Sequence, residues 1–248
     1  MRGLTKIEEK INSKIGKAIA DYGLINDKDK ILVAVSGGKD SLTLLSFLKK
    51  IQKWAPVKFE LFAAHITTDF HCGSYVHSDT LSGLFAEIGV EYKFDHIKVL
   101  DEKGKTTCFW CSWNKRKALF KIAQGFGCNK LAFGHHKDDI AETMLMNLFC
   151  KGEISTMNPY QEMFKGKLTI IRPLCYVEEN LIKEFSKESG FLYQLCKCQF
   201  GRDSQREYMK RLIKEIEKNI PGTNVKTNIF KSIAKIKKDY IGLKEESL

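Results

Sequence analysis

Three groups of residues have types and spacings suited to chemistry. Ser36-Gly-Gly-Lys-Asp-Ser41 follows the apolar run Ile31-Leu-Val-Ala-Val35 and leads directly into Leu42, Leu44, Leu45 and Leu48 at helical spacing. A strand, a glycine turn and a helix N-terminus form an anion site. Gly37 and Gly38 let the backbone approach phosphate, and the free N–H groups and helix dipole favour its charge. The Walker pattern G-x-x-x-x-G-K-[ST] is not matched, which excludes an ordinary P-loop. Gly134-His-His-Lys-Asp-Asp139 closes a second short apolar run. Its paired imidazoles and carboxylates could bind a metal ion carrying ATP phosphates or position a leaving group. Asp138 and Asp139 would equally suit the positive end of the helix that they open. Cys108-Phe-Trp-Cys111 and Cys196-Lys-Cys198 form the third group. Two such pairs fit a redox site, a structural zinc or an iron–sulfur centre, and the thiols alone do not choose. Phe109 and Trp110 would shield such a centre from water or pack in the core.

The elements that must position these residues alternate. A basic amphipathic helix over 4–22 precedes the first strand. Strands are expected over 58–66, 90–97, 130–134 and 168–171, and helices over 75–88, 111–126 and 138–149. That order predicts an α/β fold, a doubly wound parallel sheet with helices on both faces and ligands at the carboxyl ends of its strands. His65 ends the second strand, either as a simple terminus or as a group near adenine. Beyond Tyr176 the texture is helical and charged, with helices over 178–189, 203–219 and 227–240. The division read from this is an N-terminal helix over 1–27, a nucleotide domain over 28–200 and a basic helical extension over 201–248.

A net charge of +11 favours a polyanionic partner, nucleic acid ahead of membrane. No stretch approaches the length of an apolar membrane span, and no apolar core of a signal peptide is present, so a cytoplasmic protein is expected. In that reducing compartment the eight cysteines are not a disulfide framework. Cys128, Cys150 and Cys175 are read as packing residues, and Cys72 has no assignment.

Ser36-Gly-Gly-Lys-Asp-Ser41 resembles the PP-loop of the ATP pyrophosphatases, of the adenine nucleotide α-hydrolase-like fold. Gly104-Lys-Thr-Thr-Cys-Phe-Trp-Cys-Ser112, Leu131-Ala-Phe-Gly-His-His-Lys-Asp-Asp139 and Ile171-Arg-Pro-Leu174 extend the likeness in order and spacing. Together they resemble the tRNA 2-thiocytidine synthetases of the TtcA type. The resemblance implies ATP and Mg²⁺ on Ser36, Gly37, Gly38, Lys39, Asp40 and Ser41, with His65 and Gly134 nearby and Asp40, His135, Asp138 and Asp139 as catalytic groups. It implies a [4Fe-4S] cluster on Cys108, Cys111 and Cys198, with Cys196 in reserve. It also places tRNA on the helix carrying Lys115, Arg116 and Lys117, where this chain has one arginine in a run that is arginine-rich in the family. The partners implied are tRNA, a cysteine desulfurase or other sulfide donor, and a second copy in a homodimer, with no membrane.

The expected activity is adenylation of a tRNA base carbonyl followed by replacement of its oxygen with sulfur. Two rivals are an adenylating ligase or amidotransferase without sulfur transfer, and a redox- or iron-sensing RNA-binding protein. Replacing Cys108 separates the first from thiolation, and pyrophosphate release separates the second.

Overall fold

The computed structural model describes residues 4–70, 78–191, 205–235, 237 and 240. They fall into two compact units: one of residues up to 136 together with 158–204, the other of 137–157 together with 205 onwards.

The first unit holds a six-stranded sheet in the order β3-β2-β1-β4-β6-β5. Its strands are β1 (Lys30–Ala34), β2 (Glu60–Thr68), β3 (Glu91–Ile97), β4 (Lys130–Ala132), β5 (Tyr160–Met163) and β6 (Leu168–Ile171). All pairings are parallel except β5 with β6, so an antiparallel edge strand is added to the expected parallel sheet. Its helices are α1 (Lys6–Tyr22), α2 (Lys39–Ile51), α3 (Ser78–Ile88), α4 (Cys108–Gly125) and α6 (Glu179–Glu188). The second unit holds α5 (Lys137–Lys151), α7 (Gln205–Asn219) and α8 (Val225–Ser232). The last helix is thus shorter than its charge pattern suggested. Among the described residues, no helix is long and apolar enough to cross a membrane.

Alternation along β1 covers the sheet on both faces. Leu32 packs with Phe62, Leu131, Leu168 and the α4 residues Leu119 and Ala123. Ile31 and Val33 point to the opposite face and are also fully buried. On α1, Ile11, Ile15 and Ala18 form the buried stripe. Phe47 of α2 meets Phe185 of α6 with ring centroids 4.9 Å apart. Cys128 and Cys175 are buried, and burial pushes both thiols up to about 12. Cys150 is exposed, so its expected packing role is corrected. It lies in the last turn of α5, past the residues that this helix buries.

The sheet reverses its winding direction at β1 and β4, which are neighbours although β2 and β3 lie between them in the chain. A buried ion pair fixes their amino ends. Lys130 Nζ lies 2.7 Å from Asp29 Oδ2 and also donates to the Leu24 carbonyl. Asp29 further accepts from Asn129 Nδ2 and the Asn26 N–H. Removing one partner would strand a buried charge. Lys130→Met is therefore expected to lower unfolding stability by roughly 3–5 kcal/mol in urea titrations, with the double change Asp29→Asn/Lys130→Met recovering part of the loss.

Candidate active site

The loop after β1 is held by its own serines. Ser36 N–H donates to Ser41 Oγ (3.1 Å), Ser41 Oγ donates to the Gly38 carbonyl (2.9 Å), and Gly38 N–H donates to Ser36 Oγ (3.3 Å). Gly37 sits at φ +82°, in the left-handed region that favours glycine. Gly38 is the N-cap of α2 and has no side chain to bond the first turn. The N–H groups of that turn lack intrahelical acceptors and face the end of the helix where an anion is favoured. Lys39 is buried, with Nζ 2.8 Å from Asp40 Oδ1 and 3.3 Å from Glu179 Oε1. Burial pushes its pKa down, but the carboxylates of Asp40 and Glu179 outweigh burial and raise it, so the loop carries a fixed cation at neutral pH.

The loop after β4 touches this one through Gly134. A Cβ built there would lie 2.9 Å from the Asp40 carbonyl carbon and 3.0 Å from both its oxygen and the Ser41 nitrogen. Backbone approaches this close exclude any side chain. His136 is buried, its Nε2 3.7 Å from Asp40 Oδ1. His135 Nδ1 accepts a hydrogen bond from Arg172 Nε (3.2 Å), which requires that nitrogen to be unprotonated and leaves the ring proton on Nε2. Arg172 follows β6 and is buried, and it also donates to the Asn158 carbonyl and to Gln161 Oε1. Burial lowers its pKa to about 10, with Arg116 adding repulsion, so it remains charged. Arg172 and Glu179 are absent from the sequence-based site. A lone arginine at the carboxyl end of a parallel strand was the available signal for Arg172.

His65 lies within β2, not at its end as expected. Its Nδ1 donates to the Val35 carbonyl (2.7 Å), and the Val35 N–H donates to Ala64. Both polar groups of Val35 are thereby held just before the loop. Burial lowers the His65 pKa, helped by Lys115, which favours the neutral ring. α4 packs on the sheet through Leu119 and Ala123, and the charges of its Lys115 and Arg116 disfavour the charged forms of His65 and Arg172.

α4 begins at Cys108, three residues earlier than expected, because Thr107 Oγ1 accepts from the Trp110 N–H and caps it. Cys108 and Cys111 are one turn apart, the first exposed and the second half-buried. Their i, i+3 spacing puts them on one helix face. They are soft ligands suited to iron–sulfur or zinc binding, and they account for two positions of such a centre. Among the described residues no three His, Cys, Asp or Glu side chains are gathered as a metal site. Cys196 and Cys198 lie outside the described residues.

Asp138 and Asp139 belong to the second unit, where each meets a base. Asp138 pairs with Lys226 Nζ (2.6 Å) and Asp139 with Arg206 Nη1 (3.6 Å). Lys137 Nζ donates to Thr227 Oγ1, and Arg206 donates to Thr143 Oγ1. These bonds and the packing of Ala141, Ile213 and Val225 tie α7 and α8 to α5. Glu142 sits among these charges. Burial first and then Asp139 push its pKa up from 4.5 to about 7, against the pull of Lys210 and Arg206.

The chain is similar to known proteins over most of its length. The PP-loop domain family matches residues 7–215. The tRNA-cytidine(32) 2-sulfurtransferase of Geobacter sulfurreducens is 40% identical over 241 residues, covering 94% of this chain and 92% of that protein. The protein of the same name from Delftia acidovorans is 39% identical, covering 89% of this chain and 72% of its own. The U34-tRNA thiolase NcsA from Methanococcus maripaludis, solved with its [4Fe-4S] cluster, has the same fold. It aligns with a TM-score of 0.72 at 24% identity, over 92% of this chain and 78% of that one. The fold and the loop define a PP-loop protein. Within that class, the chain belongs to the family of the tRNA-cytidine(32) 2-sulfurtransferases.

Two outcomes follow from the geometry. Gly134→Ala must displace the first turn of α2, so calorimetric titration should show ATP affinity falling at least about tenfold, at an overpacking cost of about 1–3 kcal/mol. Gly125→Ala, whose Cβ would meet open space, serves as the neutral control. For Glu142, the native pKa lies above the unfolded value, so its stabilising contribution is full below about pH 4.5 and is lost as pH rises through about 7. The wild-type melting temperature should fall across that window relative to Glu142→Gln.

Proposed function

We propose that this chain is an ATP-dependent tRNA sulfurtransferase that activates the 2-carbonyl of a cytidine, at position 32 of the anticodon loop, and replaces its oxygen with sulfur. The observation that carries the reading is the pairing, in one unit, of a locked PP-loop with a Cys-x-x-Cys helix start. That helix packs on the same sheet through Leu119 and Ala123. The loop alone supports adenylation, and the paired cysteines add a reason for sulfur.

The residues divide the work by chemistry. The α2 N-terminus and Lys39 hold the triphosphate, and Asp40 offers a carboxylate for the Mg²⁺ that accompanies it. Attack of the base carbonyl oxygen on the α-phosphorus releases pyrophosphate and leaves an O-adenylated base, whose AMP is a good leaving group. Arg172 keeps His135 in the tautomer that presents an N–H donor at Nε2. Cys108 and Cys111, with Cys198, would hold a [4Fe-4S] cluster, which when bound supplies sulfide to the activated carbon. Lys115, Arg116 and Lys117 bind the RNA backbone. A cysteine desulfurase or another sulfide donor is the expected source of sulfur. The cytoplasm is the expected location.

Mass spectrometry of tRNA nucleosides from cells lacking the gene should show loss of 2-thiocytidine, restored by the wild-type gene. Cys108→Ala and Cys111→Ala should fail to restore it yet retain tRNA-stimulated pyrophosphate release. Anaerobically purified wild type should be brown with about four irons per chain. A colourless zinc protein, or retained 2-thiocytidine, would overturn the reading.

A further inference from the structure

α4 carries a second apolar surface besides the one that packs on the sheet. Ala118, Leu119 and Ala123 are buried, whereas Phe109, Trp110 and Trp113 are 75%, 52% and 52% exposed. The expectation that Phe109 and Trp110 pack in the core is therefore not met. Three large aromatics in neighbouring turns at this exposure form a patch that costs solvation unless a ligand covers it. The adenylation site makes no use of them.

The arrangement of the patch identifies the ligand. Phe109 and Trp113 are four residues apart, so they share one helix face, and their rings lie 11° from parallel with centroids 6.5 Å apart. Arg116 and Lys117 follow Trp113 at three and four residues, and Lys121 stands one turn further. All three are exposed. The eighteen residues of α4 include no acid. Planar faces aligned with a row of cations match single-stranded nucleic acid, whose bases stack on aromatic rings while its phosphates pair with Lys and Arg. A protein partner fits less well, since lysine is depleted at such interfaces.

We propose that Phe109, Trp110 and Trp113 form a stacking platform for unpaired RNA bases next to the modified nucleotide, with Arg116, Lys117 and Lys121 holding the adjoining phosphates. The proposal rests on the tRNA reading above and adds how a single-stranded loop is told from a paired stem.

The test uses the full-length holoprotein with Trp54→Phe, in which the remaining two of its three tryptophans are Trp110 and Trp113. An anticodon stem-loop RNA should quench their fluorescence, and a fully paired RNA of equal length should not. Phe109→Ala and Trp113→Ala should each weaken stem-loop binding by about 5- to 100-fold and leave duplex binding unchanged. Trp113→Phe should retain most of the affinity, which separates stacking from a folding defect. Equal stem-loop affinity in wild type and both alanine variants would overturn the platform alone. So would variants that convert a dimer to a monomer with RNA affinity unchanged, which would assign the patch to self-association. Absence of stem-loop binding by the wild type would overturn the tRNA reading together with it.

Discussion

The site depends on one close approach. At Gly134 the backbone leaving β4 comes so near the first turn of α2 that a methyl group would sit 2.9 Å from the Asp40 carbonyl carbon. Two strands that are neighbours in space but separated in the chain thereby deliver their loops to a single place. The setting of His136 beside Asp40 goes with that contact, next to a PP-loop that its own serines shape. At the other end of the same two strands, Asp29 and Lys130 fix their alignment where nothing reacts. Rigidity at the amino end and proximity at the carboxyl end are two halves of one arrangement.

What could be read from the residue string was the part encoded locally. Val35 to Ser41 is a strand, a glycine turn and a helix start within a dozen residues, and it forms as read. Thr107 illustrates a local signal that was available and passed over: a threonine before Cys108 is an ordinary N-cap, and it starts α4 early enough to include both cysteines. Tyr160-Gln-Glu-Met163 pairs antiparallel at an edge, where partial exposure removes the apolar alternation that reveals a strand. The need for glycine at position 134 has no local signature, because the atoms that demand it belong to Asp40 and Ser41, more than ninety residues away. The bond from Arg172 to His135 is likewise a product of strand order. Asp138 and Asp139 read as metal ligands or caps, and their pairing with Lys226 and Arg206 depends on helices far downstream.

The helix α4 combines roles that seldom share one element. Its middle settles on the sheet through small and aliphatic residues, its first turn carries two thiols, and its outer side carries aromatics and cations. A helix has about 100° of surface per face, so three functions fit without competing when each keeps its own stripe. The exposed aromatic stripe lies outside the buried one. Its presence explains why the helix shows little overall segregation of polar and apolar sides.

Both margins of the sheet are poor templates for another strand. β5 is four residues long, carries Glu162 and turns back through Phe164 and Lys165 at positive φ. β3 carries Glu91, Lys93 and Asp95 on one of its faces and is exposed over most of its length. Short, charged edges discourage backbone pairing between molecules. Extension of the sheet by a strand of a second copy is thereby disfavoured at both edges. The same feature protects the protein from edge-to-edge aggregation while it is being made.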